Sequence, residues 1–119
     1  MTRALAVFTV CQRGIRVRIR LLPTVADVDA AFRDGTPRRS GRRVHAFFLG
    51  STTPDRLAGT IILPASGRLA ELVPHEAVHA VVHHGSAAGD DDEELALAVG
   101  LLSGAIFSEL ARRGIEVAP

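Results

Sequence analysis

The 119-residue chain contains no Trp, no Tyr and no Lys, and it has a single Cys. One thiol, Cys11, can neither close an internal disulfide nor build a cysteine metal cage, so nothing in the sequence indicates an oxidising compartment. We therefore expect a cytoplasmic protein. The absence of Tyr and Trp also removes two side chains that proteins use to stack on nucleic-acid bases.

Long apolar runs are absent as well. The apolar run near the N-terminus is only about seven residues long before it alternates with Arg, which argues against a signal peptide. Leu95–Phe107 has thirteen residues, fewer than the roughly 20 that a membrane-spanning helix needs. With 47% hydrophobic and 23% charged residues, the composition predicts one globular domain over residues 1–119, with no membrane segment. The oligomeric state stays open.

Charge is distributed unevenly along the chain. Residues 1–60 contain eleven Arg and four Asp, whereas residues 61–119 contain three Arg and nine acidic residues. The loop PRRSGRR (37–43) and the alternating Arg16, Arg18 and Arg20 could contact phosphates. Because no Tyr or Trp accompanies these arginines, the sequence favours a solvated face over a nucleic-acid site. A basic surface could equally select acidic peptides.

Local patterns predict an α+β fold with the order β-β-α-β-β-α-α and a small mixed or antiparallel sheet. The segment from Ile15 to Leu21 alternates apolar residues with Arg, as a half-exposed strand does. The predicted strands are residues 3–10, 15–22, 44–51 and 57–65, with CQRG (11–14) as a four-residue hairpin link. The predicted helices are residues 25–35 (capped by Thr24), 68–85 and 93–114.

The motif with most chemical content is HEAVH, residues 75–79. On a helix, residues four apart are about 40° apart around the axis and about 6 Å along it, so His75 and His79 can converge on one cation. Glu76 lies about 100° from His75, close enough to contact a water on that cation. Two neutral imidazoles, Zn²⁺ and a glutamate that accepts a proton from water are the parts of an HExxH hydrolytic site.

A catalytic zinc ion usually has about three protein ligands, so a third residue is needed. Glu93 and Glu94 at the start of the last helix are the candidates. We rank Glu93 first because it shares a helix face with Leu97, Gly100 and Gly104, where small residues would let two helices approach closely. Asp90, Asp91 and Asp92 are interpreted as charges that favour the helix N-terminus.

The other histidines receive lesser roles. His83 lies about 12 Å along the axis from His75, too far to join the same ion on a straight helix. His83 and His84 are interpreted mainly as a polar helix C-terminus, with a role as donors to an oxyanion as the alternative. His45 is interpreted as a surface or structural residue.

With these residues, the chain resembles a minimal zincin of the glutamate-zincin type, similar to ImmA/IrrE-type peptidases and small phage-encoded relatives. The resemblance covers about residues 56–110. It implies a zinc-dependent metallopeptidase with His75, His79 and Glu93 as metal ligands and Glu76 as general base. It also implies that AGTIIL (58–63) is an edge strand that pairs with an extended peptide substrate.

Two features differ from that family. Pro74 directly precedes His75, so the helix is expected either to begin near Pro74 or to be kinked there. No Tyr is available to stabilise an oxyanion, so an Arg, His83 or His84 would have to do so. The alternative functions are a zinc-stabilised interaction module without catalysis and, with less support, an Arg-rich nucleic-acid-binding module.

Overall fold

The computed structural model describes residues 3–35, 42–85 and 92–117. These residues form four strands and three helices in the predicted order, and the α+β class is confirmed. The elements are β1 (Ala6–Gln12), β2 (Ile15–Leu22), α1 (Val25–Gly35), β3 (Phe47–Gly50), β4 (Gly59–Pro64), α2 (Leu69–His84) and α3 (Asp92–Arg112).

The strands form one mixed sheet in the order β1-β2-β4-β3. β1 and β2 are antiparallel, β2 and β4 are parallel, and β4 and β3 are antiparallel. The prediction that residues 58–63 form an edge strand is therefore wrong, because β4 has a neighbour on each side. Its residues Ile61, Ile62 and Leu63 are all buried, and an uninterrupted apolar run of this kind is typical of a strand covered on both faces.

The hairpin between β1 and β2 is tighter than predicted. Arg13 and Gly14 both have positive φ, at 53° and 82°, as a two-residue type I′ turn requires. Cys11 and Gln12, predicted to belong to the link, instead pair with β2 as the last residues of β1.

Helix α2 and helix α3 cover one face of the sheet. α2 packs on β4, β3 and α3, while α3 also packs on β1. Helix α1 covers part of the other face, where Val28 packs with Leu22 and Ile62. Thr24 caps α1 as predicted, since its hydroxyl accepts a hydrogen bond from the Asp27 backbone N–H at 3.2 Å.

The packing face of α3 differs from the one predicted. Gly100 and Gly104 are exposed, and a Cβ added at either would meet no atom within 4 Å. Leu97 is also exposed, at 48%. The buried face is formed instead by Leu102, Ser103, Ile106 and Leu110, whose spacing of three or four residues continues one apolar stripe.

Helix α3 has 21 residues, and it is the one helix of the described ranges that is long and apolar enough to cross a membrane by length and composition. The thirteen uncharged residues Leu95–Phe107, from which the sequence predicts no membrane span, are only part of this helix. Here α3 contacts α2 and β1 through its buried face, a packing that core helices of globular domains also show.

Candidate metal centre on helix α2

The two histidines of the HEAVH motif lie side by side. The ring centroids of His75 and His79 are 5.3 Å apart and their planes are inclined by 71°. Both residues are exposed, the side chain of His75 at 69%. The helical spacing of four residues therefore brings two imidazoles together on an accessible flank of α2.

Glu76 is buried beside this pair. Its relative exposure is 4%, because Val73 and Ala80, three residues before and four after it, place it on the helix face that packs inward. One carboxylate oxygen, Oε2, lies 3.8 Å from Nε2 of His75.

The surroundings of Glu76 favour its neutral form. Burial raises the pKa of the Glu76 carboxyl above its ordinary value, and the nearby His75 and His79 oppose that shift only in part. Removing a carboxylate from water is costly unless a cation or a donor compensates it. The site thus combines an accessible pair of imidazoles with a buried carboxyl group whose pKa is raised.

Pro74 lies inside α2, since the helix begins at Leu69, five residues earlier. The alternative that the helix begins near Pro74 is therefore wrong. Proline has no N–H, so the carbonyl of Ala70 receives no helical hydrogen bond from position 74. His75 and His79 consequently sit in the middle of a 16-residue helix rather than at a frayed first turn.

The third predicted ligand is not brought to the histidine pair. Glu93 and Glu94 are both exposed in the first turn of α3, and the ranges 3–35, 42–85 and 92–117 contain no group of three or more His, Cys, Asp or Glu that could hold a metal ion. Asp90 and Asp91 lie outside the described residues.

Glu93 was ranked above Glu94 because its helix face was expected to pack against α2, and the structure contradicts that expectation. The face that Glu93 shares with Leu97, Gly100 and Gly104 points to solvent. Glu94 instead shares a face with three residues that are partly buried, namely Ala98, Leu101 and Ala105.

His83 contacts the strand next to α2 rather than the HEAVH pair. Its Nε2 lies 2.7 Å from the backbone oxygen of Ser51, and its ring packs edge-on against Phe48 with centroids 5.7 Å apart. A carbonyl oxygen can only accept, so Nε2 of His83 carries a proton and donates it. That nitrogen cannot bind a metal ion while the hydrogen bond is made.

Gly50 makes this contact possible. A Cβ at position 50 would lie 2.7 Å from two ring atoms of His83, so any larger residue would displace the imidazole. We call Gly50, Ser51 and His83 the strand clasp. It holds the C-terminal part of α2 against the end of β3, and the sequence carried no signal for it because its partners are 32 residues apart.

The strand clasp also fixes which strand lies beside the histidines. β3 is an edge of the sheet, and His83 on the same helix flank as His79 touches its end. His79 lies one turn earlier, so it faces the same side of the molecule. The edge strand against which α2 packs is thus β3, and β4, predicted to be that edge, is an interior strand.

The remaining histidines have no established role. Nδ1 of His84 is buried and has no hydrogen-bond partner among the described residues. His45 is exposed, ahead of β3. Most of the arginine-rich loop 37–43 lies outside the described residues.

Comparison of the chain with protein-family models, with curated proteins and with solved structures finds no match.

Proposed function

We propose that the protein is a zinc-dependent metallopeptidase. The observation that supports this most is the buried Glu76 carboxylate, whose Oε2 lies 3.8 Å from Nε2 of His75, beside two accessible imidazoles whose ring centroids are 5.3 Å apart. Left alone, this arrangement is costly, whereas a cation held by the imidazoles would compensate the carboxylate. Two histidines together with a glutamate from another helix are also a set of ligands that zinc sites use.

In this proposal α2 is the active-site helix, packed on the sheet and on α3. His75 and His79 hold the ion, and the third ligand is Glu93 or Glu94 in the first turn of α3, which would have to approach the pair when the ion binds. When bound, zinc supplies a Lewis acid that polarises the scissile carbonyl and makes a water acidic.

The other steps belong to the protein. Glu76 accepts a proton from the attacking water and passes it to the nitrogen of the leaving amine, and its raised pKa suits a base that must also act as an acid. The backbone of β3 pairs with an extended peptide, a mode of binding that needs only an unpaired strand edge. The oxyanion stabiliser is assigned to an arginine or to His84, because the proton of His83 Nε2 is engaged by Ser51.

The first experiment is metal content by mass spectrometry, with protein quantified by amino-acid analysis since no Trp or Tyr absorbs. We expect about one zinc per chain. His79→Ala should lose it, and either Glu93→Ala or Glu94→Ala should weaken it. His45→Ala, which removes an exposed histidine elsewhere, is the matched control. Absence of metal from the wild type after zinc is resupplied would contradict the proposal.

The second experiment separates the peptidase from a zinc-stabilised interaction module. Glu76→Gln should retain zinc and lose turnover of a quenched-fluorescence peptide library by about 10²- to 10⁴-fold, the usual contribution of a general base. If the variant retains zinc and the wild type cleaves nothing, the interaction module is the better description.

A further inference from the structure

The face of the sheet opposite α2 and α3 carries a row of three arginines. Arg16, Arg18 and Arg20 alternate with buried apolar residues along β2, and all three are exposed. We call them the arginine row. Helix α1 covers only part of this face, so the row is open to solvent.

The residues beside the arginine row are uncharged. On β1, Cys11, Thr9 and Val7 lie opposite Arg16, Arg18 and Arg20 respectively. On β4, Thr60 lies opposite Arg18 and Ile62 opposite Arg20. An acidic residue at any of these positions would form a favourable cross-strand pair, and none is present.

The row also lacks acidic partners elsewhere in the described structure. Ion pairs in that part of the chain involve other basic residues, such as Arg33, Arg68 and Arg112, and none involves Arg16, Arg18 or Arg20. Three like charges at intervals of roughly 7 Å on one strand repel one another. The fold therefore places three positive charges at a regular spacing, without an acidic side chain in ion-pair contact among the described residues.

Part of the row borders a groove. Arg18 and Arg20 line a cavity of about 610 Å³ between α1 and the sheet, together with the exposed apolar residues Val7 and Leu49. On the α1 side the same groove is lined by Asp27 and Asp34. The acidic wall disfavours an anion close to α1, so a negatively charged ligand would lie toward β1 and β2.

We propose that the arginine row binds an extended polypeptide segment with acidic residues at alternate positions. Side chains on one face of an extended chain recur every two residues, at roughly 7 Å, which is the interval of the arginines themselves. Each guanidinium can then hold one carboxylate in a two-point contact. The exposed apolar side chain of Val7 would contact the part of the segment between two acidic residues.

A protein ligand fits this face better than a single-stranded nucleic acid. Sheet surfaces that bind single strands present aromatic rings on which bases stack. The aromatic residue that lines the groove from the sheet, Phe47, is half-buried and packs edge-on against Phe32, with centroids 5.3 Å apart. Charge and spacing thus match a peptide, while the stacking platform is missing.

The inference stands apart from the metallopeptidase proposal, because the arginine row and the HEAVH pair lie on opposite sides of the sheet. It is tested by fluorescence anisotropy with a labelled (Thr-Glu)₆ peptide at low and physiological salt. We expect saturable binding that weakens as salt rises. Replacing all three arginines with Thr, which keeps strand propensity, should weaken binding about tenfold, since exposed ion pairs contribute modestly.

Two controls make the result specific. Arg56→Thr removes one exposed charge outside the row and should bind as the wild type does, and circular dichroism reports whether the triple variant folds. If it does not fold, Arg18→Thr alone should weaken binding about two- to threefold. His79→Ala should bind the peptide normally, so loss of the metal site and loss of this site are distinguishable.

Three results would overturn the proposal. The first is no binding of the acidic peptide at low salt. The second is equal binding by the wild type and the folded arginine variants. The third is tighter binding of a labelled oligothymidylate than of the peptide, which would assign the face to nucleic acid instead.

Discussion

Two residues far apart in the chain, Gly50 and His83, meet at the end of β3. Removing the imidazole loses one hydrogen bond and one aromatic contact, while adding a methyl group at position 50 displaces the imidazole. Both changes break the same contact by different routes, so their effects should not add.

We predict that Gly50→Ala and His83→Ala each lower the free energy of unfolding by about 1 kcal/mol, the usual net value of a hydrogen bond. The double variant should cost little more than either single one. Urea denaturation of the four proteins in a double-mutant cycle measures this. Strict additivity would show that the strand clasp does not couple the two positions.

The positions of Glu76 and its two neighbouring histidines could be predicted from the sequence. The HEAVH spacing predicted that His75, Glu76 and His79 would share a region of one helix, and they do, because i and i+4 neighbours are set by helix geometry alone. Burial of Glu76 follows from its place between Val73 and Ala80. The third ligand could not be predicted in the same way, since it depends on how two helices are rotated against each other.

At the scale of elements, local patterns predicted most of the fold. The alternation in β2 gave its bounds correctly, and those of α2 and α3 lie within one or two residues of prediction. Which strands pair with one another was harder to predict. Whether β4 is central or at an edge depends on pairing with β3, although the apolar run Ile61–Leu63 does carry a signal of burial on both faces.

Helix α3 provides a test at this scale. Gly100 and Gly104 lie in a helix interior, are exposed and have nothing within 4 Å of an added Cβ. We predict that Gly100→Ala and Gly104→Ala each stabilise the protein by about 0.5–1 kcal/mol, because glycine has the lower helix propensity.

Thermal unfolding monitored by circular dichroism measures this effect, with Gly114→Ala as a contrasting control. Gly114 has a φ of 78° after the end of α3, so the same change there should destabilise. If alanine at position 100 or 104 destabilises the protein instead, another helix packs closely against these glycines, as the sequence predicted.

At the scale of the whole molecule, the free energy of unfolding should decrease at acid pH because two carboxylates become protonated. The Val44 backbone N–H, 2.9 Å from Oδ1 of Asp29, and the nearby Arg33 hold the pKa of the Asp29 carboxyl below its ordinary value. Arg112, and after it Arg113, do the same for the pKa of the Glu109 carboxyl.

A carboxyl with a lowered pKa in the folded state stabilises the protein above its unfolded-state pKa, which is about 4. That stabilisation is lost as the pH falls through the folded-state value. We predict that the urea midpoint declines as the pH falls below about 4, and that the decline is shallower in Asp29→Asn. Arg33 and Val44 belong to different segments, so the variant also tests whether α1 is held to the chain ahead of β3.

The parallel pairing of β2 with β4 determines when the sheet can assemble during synthesis of the chain. The β1–β2 hairpin is local, but β4 joins it only after the intervening residues 23–58 have been synthesised. A two-stranded hairpin alone is marginally stable, and closing a long loop has an entropic cost that slows folding. During synthesis the sheet thus lacks its second interior strand until Pro64 has been added, and α2, which begins five residues later at Leu69, is the next element along the chain and the first of the two helices that cover the HEAVH side of the sheet.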